Sequence, residues 1–275
     1  YMIVLIIVLR KNISWISSFV HFLDLISFVH ATATIIFRFV PSVFQIYAAN
    51  IVSPINYAEV VKRSAAGQIT GLCVNYGLNA GILALGTGVA AIYAIFGEQH
   101  RKKYVLATGY LLFALLLTGK RSPAIFTTAS VIAVYLLCAH EKLSQKMIKL
   151  LIGLLLGLMM IPIVLMLVPQ LTVVVDRLAD MQDWSTLGGR TELYEEAIKM
   201  FKQHPVIGNG WTSYLLETEH TIGRVYEKQY ARMMAHNIYL QLLAETGVVG
   251  LITFLYLFLS NTIKLSKLIF AQGID

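Results

Sequence analysis

Apolar runs separated by short polar breaks fill most of the first 168 residues and return near the end of the chain. Their lengths predict membrane spans, because about 20 apolar residues in a helix cover the ~30 Å hydrocarbon core. The opening run, Tyr1 to Leu9, lacks a basic n-region and is short; it reads as the end of a helix that begins upstream rather than as a signal peptide. Further spans are expected over about Trp15–Phe37, Gly77–Phe96, Tyr104–Leu117, Ala124–Ala139, Leu150–Val168 and Ile238–Leu259. Between Arg38 and Tyr76 the pattern degrades at Pro41, Pro54, Gly67, Gly71 and the pair Lys62-Arg63, which predicts an outer-face segment of interfacial helices.

The exception to this pattern is a long polar segment, Pro169 to His236, between the last two spans. Within it Leu193, Tyr194, Ala197, Ile198 and Phe201 recur at helical spacing, with Glu192, Glu195, Glu196, Lys199 and Lys202 on other faces. An amphipathic helix is therefore expected, opened at Arg190 and ended by Pro205, Gly208 and Gly210. The resulting fold class is all-α: a polytopic transmembrane helical bundle, one integral membrane domain over 1–275, with residues 169–236 as a large extracytoplasmic loop containing short amphipathic helices.

Composition narrows the picture. With 57% hydrophobic and 13% charged residues, the 275-residue chain is too apolar for an ordinary soluble domain. The net charge of +7 would suggest nucleic acid in a soluble protein, but the cations cluster beside the spans. Arg10-Lys11, Arg101 to Lys103, Lys142 to Lys149 and Lys264-Lys267 all fall on the cytoplasmic side of one alternating topology. Lys120-Arg121, on a turn Thr118 to Pro123, break the rule by falling outside. Cys73 and Cys138 have no metal-ligand or redox spacing and read as packing residues. His21 and Asp24 lie one turn apart in a span, either as an internal hydrogen-bonded pair or as a functional site. Gly77/Gly81 and Gly153/Gly157 have the spacing that lets helices approach closely.

Candidate chemistry gathers outside: Arg121 on its turn, Arg190 at a helix start and His236 just before the last span. A helix start presents unpaired N–H groups and favours anions, and an Arg there adds a planar fork suited to phosphate. Taken singly, Arg121 also reads as a lipid-headgroup contact, Arg190 as a solvated helix-end charge and His236 as an interfacial cap. No acidic DxD-type metal motif accompanies them, Asp180 to Asp183 included.

The tracts Gly189-Arg190-Thr-Glu-Leu193, His204-Pro-Val-Ile-Gly-Asn-Gly-Trp211 and Ala235-His-Asn-Ile-Tyr-Leu-Gln-Leu-Leu-Ala-Glu-Thr-Gly247 resemble the signature of the O-antigen ligase and O-antigen polymerase superfamily. Thr118-Gly-Lys-Arg121-Ser resembles its upstream arginine turn, so that the likeness covers roughly residues 117 to 255. The resemblance implies a bacterial plasma-membrane glycosyltransferase, active on the extracytoplasmic face and needing neither metal nor cofactor. Its donor would be an undecaprenyl-diphosphate-linked oligosaccharide. Its acceptor would be a sugar hydroxyl, on a lipid-linked repeat unit for a polymerase or on lipid A core for a ligase. Arg121 and Arg190 would bind the diphosphate and stabilise the leaving group, and His236 would take the proton of the attacking hydroxyl. Arg63 and Asn237 join them as substrate-binding candidates, membrane lipids are further partners, and nucleic acid is not one. The reading leans to polymerase. An ordinary imidazole titrates at roughly 6.5 and is mostly neutral near pH 7, as a base must be. A flippase for lipid-linked sugars is the reading from another class; it would favour internal repeats and midplane charges, of which His21, Asp24 and His30 are the few examples.

Overall fold

A computed structural model describes residues 15–73, 75–97, 100–139, 141–172, 190–221, 225–226, 229–230 and 234–271. The chain divides into two compact units, residues 1–179 and 180–275. The opening run with Arg10-Lys11, Gly188-Gly189 and the Asp180–Asp183 tract lie outside the described residues.

The first unit contains α1 (Trp15–Phe39), α2 (Pro41–Ile51), α3 (Pro54–Ala65), α4 (Tyr76–Phe96), α5 (Arg101–Leu117), α6 (Arg121–Cys138) and α7 (Leu143–Leu167). Its core forms where α1 meets the α4–α5 hairpin, around Ala31, Ala80, Leu83, Ala90, Leu111, Ala114 and Leu115. Small residues dominate because the backbones approach closely, with lipid-like surroundings giving little hydrophobic drive between helices. The tightest approach is at Gly86, where any Cβ would collide with the Ser27 side chain, and Ser27 Oγ donates to Ile82 O at 3.3 Å. The expected glycine pairs do not serve this purpose. A Cβ at Gly81, Gly153 or Gly157 would meet nothing within 4 Å, and α7 buries only Lys146. Spacing alone cannot say which face of a helix meets a neighbour.

Five described helices are long and apolar enough to cross a membrane: Ser18–Phe39, Tyr76–Phe96, Arg121–Cys138, Leu143–Leu167 and Ile238–Asn261. The protein is thus an all-α, multi-pass membrane protein. The expected span at Tyr104–Leu117 is the short one, since α5 has 17 residues, about 25 Å, and opens with three cations. The basic clusters do structural work at helix ends. Arg101 Nε donates to Ala94 O at 3.0 Å near the end of α4, and Lys146 Nζ to Leu136 O at 2.7 Å near the end of α6. Each cation meets the negative end of a helix dipole. Asp24 stands within electrostatic reach of His21 and Lys103, toward the α5-start end of its span and roughly 9 Å from the Ser18 end of it, rather than at mid-depth.

The second unit contains α8 (Thr191–Gln203), α9 (Ser213–Thr221), a two-residue antiparallel ladder of β1 (Val225–Tyr226) and β2 (Gln229–Tyr230), and α10 (Ile238–Ala271). The expected amphipathic helix is α8. It buries Leu193, Ala197 and Met200, while Ile198 is 41% exposed. Ala197 and Met200 pack with Tyr214, Ala235 and Ala244, joining α8 and α9 to the start of α10.

Candidate functional site

Arg121 is the first residue of α6, not part of a turn reaching Pro123. The turn is shorter than expected because Pro is tolerated in a first helical turn, where its missing N–H leaves no bond unmade. Thr118, Gly119 and Lys120 make the turn: Thr118 Oγ1 donates to Leu115 O at 2.7 Å, Gly119 has φ +69°, and Lys120 N donates to Thr118 Oγ1 at 3.3 Å. The two cations here have different settings. Lys120 Nζ lies 4.4 Å from the centre of the Tyr76 ring at the start of α4, a cation–π contact, while Arg121 is half-buried at the N-terminal end of α6. Backbone N–H groups and a guanidinium at one helix start favour an anion.

One turn into α4, Asn79 is fully buried and organises a polar cluster absent from the sequence-based candidates. Its Nδ2 donates to Thr34 Oγ1 at 2.9 Å and to Ile69 O at 3.3 Å, so its Oδ1 must be the acceptor for His30 Nδ1 at 3.0 Å. That assignment puts the His30 proton on Nδ1 and leaves Nε2 as an acceptor in the neutral ring. Gly71 is required beside it: φ is +53° and a Cβ would overlap the Asn79 amide. Cys73 Sγ lies 3.8 Å from His30 Nδ1, and burial pushes its thiol up, so it remains a thiol rather than a nucleophile. Only the bare letters His, Thr and Asn hinted at this cluster, at positions 45 to 49 apart in sequence.

Arg63 is on α3 and is engaged within its own helix, its Nε 2.7 Å from Glu59 Oε1. That hydrogen bond holds the Glu59 carboxyl below the usual carboxylate range. A substrate at Arg63 would compete with this pair.

In the second unit Arg190 occupies the N-cap position of α8, exposed, with its carbonyl accepting Tyr194 N at 3.0 Å. His236 is exposed and left-handed at φ +52°, between buried Ala235 and Asn237. The cap of α10 is Asn237: its Oδ1 accepts from Tyr239 N at 3.0 Å and Leu240 N at 3.3 Å. The capping role suggested for His236 thus belongs to its neighbour, since a left-handed residue followed by a capping amide turns the chain into the helix.

The glycine-rich tract after α8 has a role that the sequence did not disclose. α10 is broken at Gly247, φ +64° and ψ −166°, a region open essentially to glycine alone. The break frees backbone groups that residues 205–210 then satisfy. Val248 N donates to Pro205 O at 2.9 Å and Val249 N to Val206 O at 3.2 Å. In return Asn209 N and Gly210 N donate to Ala244 O at 3.0 Å and Glu245 O at 2.9 Å, and Asn209 Nδ2 reaches both Met200 O at 2.8 Å and Ala244 O at 2.9 Å. Cβ atoms at Gly208 or Gly247 would run into the opposing backbone. Glu245 is buried within this clasp and accepts from Gln241 Nε2 at 3.2 Å. Arg121 and Arg63 therefore belong to the first unit, and Arg190, His236 and Asn237 to the second.

The family described as O-antigen ligase matches residues 105–255, more than half of the chain. The exopolysaccharide production protein ExoQ of Rhizobium meliloti (strain 1021) is 35% identical over 72 residues, which cover 25% of this chain but only 17% of that protein. No solved structure matches.

Proposed function

The chain belongs to the O-antigen ligase family, and on that premise we propose that it is a membrane glycosyltransferase working as a surface-polysaccharide polymerase in the bacterial plasma membrane. The donor is a glycan on undecaprenyl diphosphate and the acceptor is a sugar hydroxyl, both met at the extracytoplasmic face. The observation that supports this reading most is that Arg121 and Arg190 each stand at a helix start, where N–H groups and a guanidinium suit phosphate oxygens. In the reaction the acceptor oxygen attacks the anomeric carbon as its proton passes to the His236 imidazole. The bond from that carbon to the diphosphate oxygen breaks, and the carrier leaves with the electron pair. Fixed guanidinium charge then stabilises the developing negative charge without a metal. Asn237 caps α10 with its Oδ1, so its Nδ2 is the part suited to a substrate oxygen. Arg63 contributes only by giving up Glu59.

Similarity to a protein named for exopolysaccharide production favours the polymerase. The description of the matching family favours the second reading, a ligase that delivers glycan to lipid A core. Incubating the purified protein with lipid-linked repeat units, with and without lipid A core, separates them: a ladder of lengthening lipid-linked chains marks a polymerase, glycan on the core marks a ligase, and no product refutes both. Activity that survives chelator but falls about a hundredfold in Arg190→Lys supports the arginine mechanism. Loss of activity with chelator alone overturns it.

A further inference from the structure

The cavity between the end of α1 and the α2–α3 pair has chemistry that glycan transfer does not use. Its volume is about 180 Å³, with Arg38, Gln45 and Ser64 supplying the polar lining and Phe37, Phe44 and Ile69 the apolar floor. It exists because α1 stops before Pro41. Val40 is pushed out of the helical region, at φ −128° and ψ 75°, and Pro41 begins α2 in a new direction. The last turn of α1, carrying Arg38, therefore lines the same space as the first turns of α2. Phe37, Phe44 and Ile69 are buried in the local core, which shapes the floor before any ligand arrives.

Four features define what fits. No lining residue is acidic, and the polar ones offer a guanidinium, an amide and a hydroxyl, all able to donate to an anion. Half-burial strengthens the pull of the guanidinium, because the effective dielectric is below that of water. At roughly 30 Å³ per water the volume holds about six waters, enough for a phosphate group and short of the ~300 Å³ of pockets for larger ligands. The surroundings suit an apolar tail, since Phe39, Val40, Val43 and Ile46 are 41–67% exposed on the adjoining surface.

We propose that this cavity binds the phosphate head of a membrane lipid, with Arg38 as the anchoring cation. None of its lining residues is among those assigned to glycan transfer, and its occupancy is read by binding, so the failure of either reading leaves the other standing. A bilayer phospholipid and the glycan-free polyprenyl diphosphate share the required chemistry.

The test uses the full chain, purified in detergent and delipidated, titrated by native mass spectrometry with phosphatidylglycerol, phosphatidylcholine and polyprenyl diphosphate. The parent is expected to retain one anionic lipid more tightly than phosphatidylcholine. Arg38→Gln should weaken that affinity about tenfold, as for loss of a charge-assisted hydrogen bond. Ala65→Phe, which fills the cavity and leaves the charge in place, should weaken it as much, while Lys62→Gln on the same helix should not. If Arg38→Gln does not fold, Ala65→Phe and Arg38→Lys decide. Tighter polyprenyl diphosphate assigns the site to the carrier lipid, and tighter phosphatidylglycerol to the bilayer. Equal binding of anionic and zwitterionic lipids, parent-like binding in both Arg38→Gln and Ala65→Phe, or an equal loss in Lys62→Gln overturns the proposal.

Discussion

His236 adopts a torsion, φ +52°, that suits Asn and His better than most side chains. This decides how its proposed role as base is tested. His236→Ala removes the imidazole but also places a less tolerant residue in the left-handed region, at about 0.5–1 kcal/mol relative to His, so its loss of activity would be ambiguous. His236→Asn keeps the backbone acceptable and leaves the Asn237 cap in place. Its turnover should fall a hundred- to ten-thousandfold, roughly the worth of a positioned base, with thermal stability and donor binding near those of the parent. Parent-like turnover in His236→Asn would reject the base. A second residue gives a pH signature. Tyr214 is buried and donates to Leu193 O at 2.8 Å, and its phenol is pushed up to about 12, mainly by burial. The unfolded chain ionises it near pH 10, so its contribution to stability is complete below that pH and is lost as pH rises from about 10 to about 12. Thermal melts of Tyr214→Phe should lack that part of the alkaline decline; an unchanged slope would show that other groups produce it.

At the scale of elements, the clasp between residues 205–210 and the break in α10 joins two of the sequence tracts that carry the family likeness. Gly208 and Gly247 each have a steric reason, and Asn209 is the central donor. Asn209→Ala leaves Met200 O without that amide and weakens the hold on Ala244 O, an expected loss of about 2 kcal/mol in a denaturant or thermal titration. Asn209→Asp should cost at least as much, because a carboxylate offers carbonyls no donor. Gly247→Ala should be worse than either, since both the torsion and the opposing Val206 carbonyl forbid the methyl. If Gly247→Ala melts like the parent, the break at Gly247 is not what holds this region. These tracts therefore owe their pattern to backbone geometry as well as to chemistry.

For the whole molecule the testable statement is topology. Arg101 and Lys146 tie off the ends of α4 and α6, consistent with one cytoplasmic side for both clusters. With Cys73 and Cys138 replaced, an impermeant thiol reagent added from outside should label Lys202→Cys, exposed on α8, but not Lys102→Cys or Lys142→Cys. The reverse pattern would remove the proposed chemistry from the outer face. The sequence by itself determined that the chain is helical and crosses the membrane several times. Run length and period record a helix and its solvent, and the spacing of Leu193, Ala197 and Phe201 is enough to mark α8. It also singled out Arg121, Arg190 and His236 as candidates, because their neighbours form recognisable tracts. Tertiary structure alone decided that Asn237 rather than His236 caps α10, that Gly86 rather than Gly81 is the close approach, and that Asn79 gathers His30, Thr34 and Ile69. The reason is physical: periodicity reports which residues share a face of one helix, whereas a cap, a close approach or a hydrogen bond depends on which faces of different segments meet.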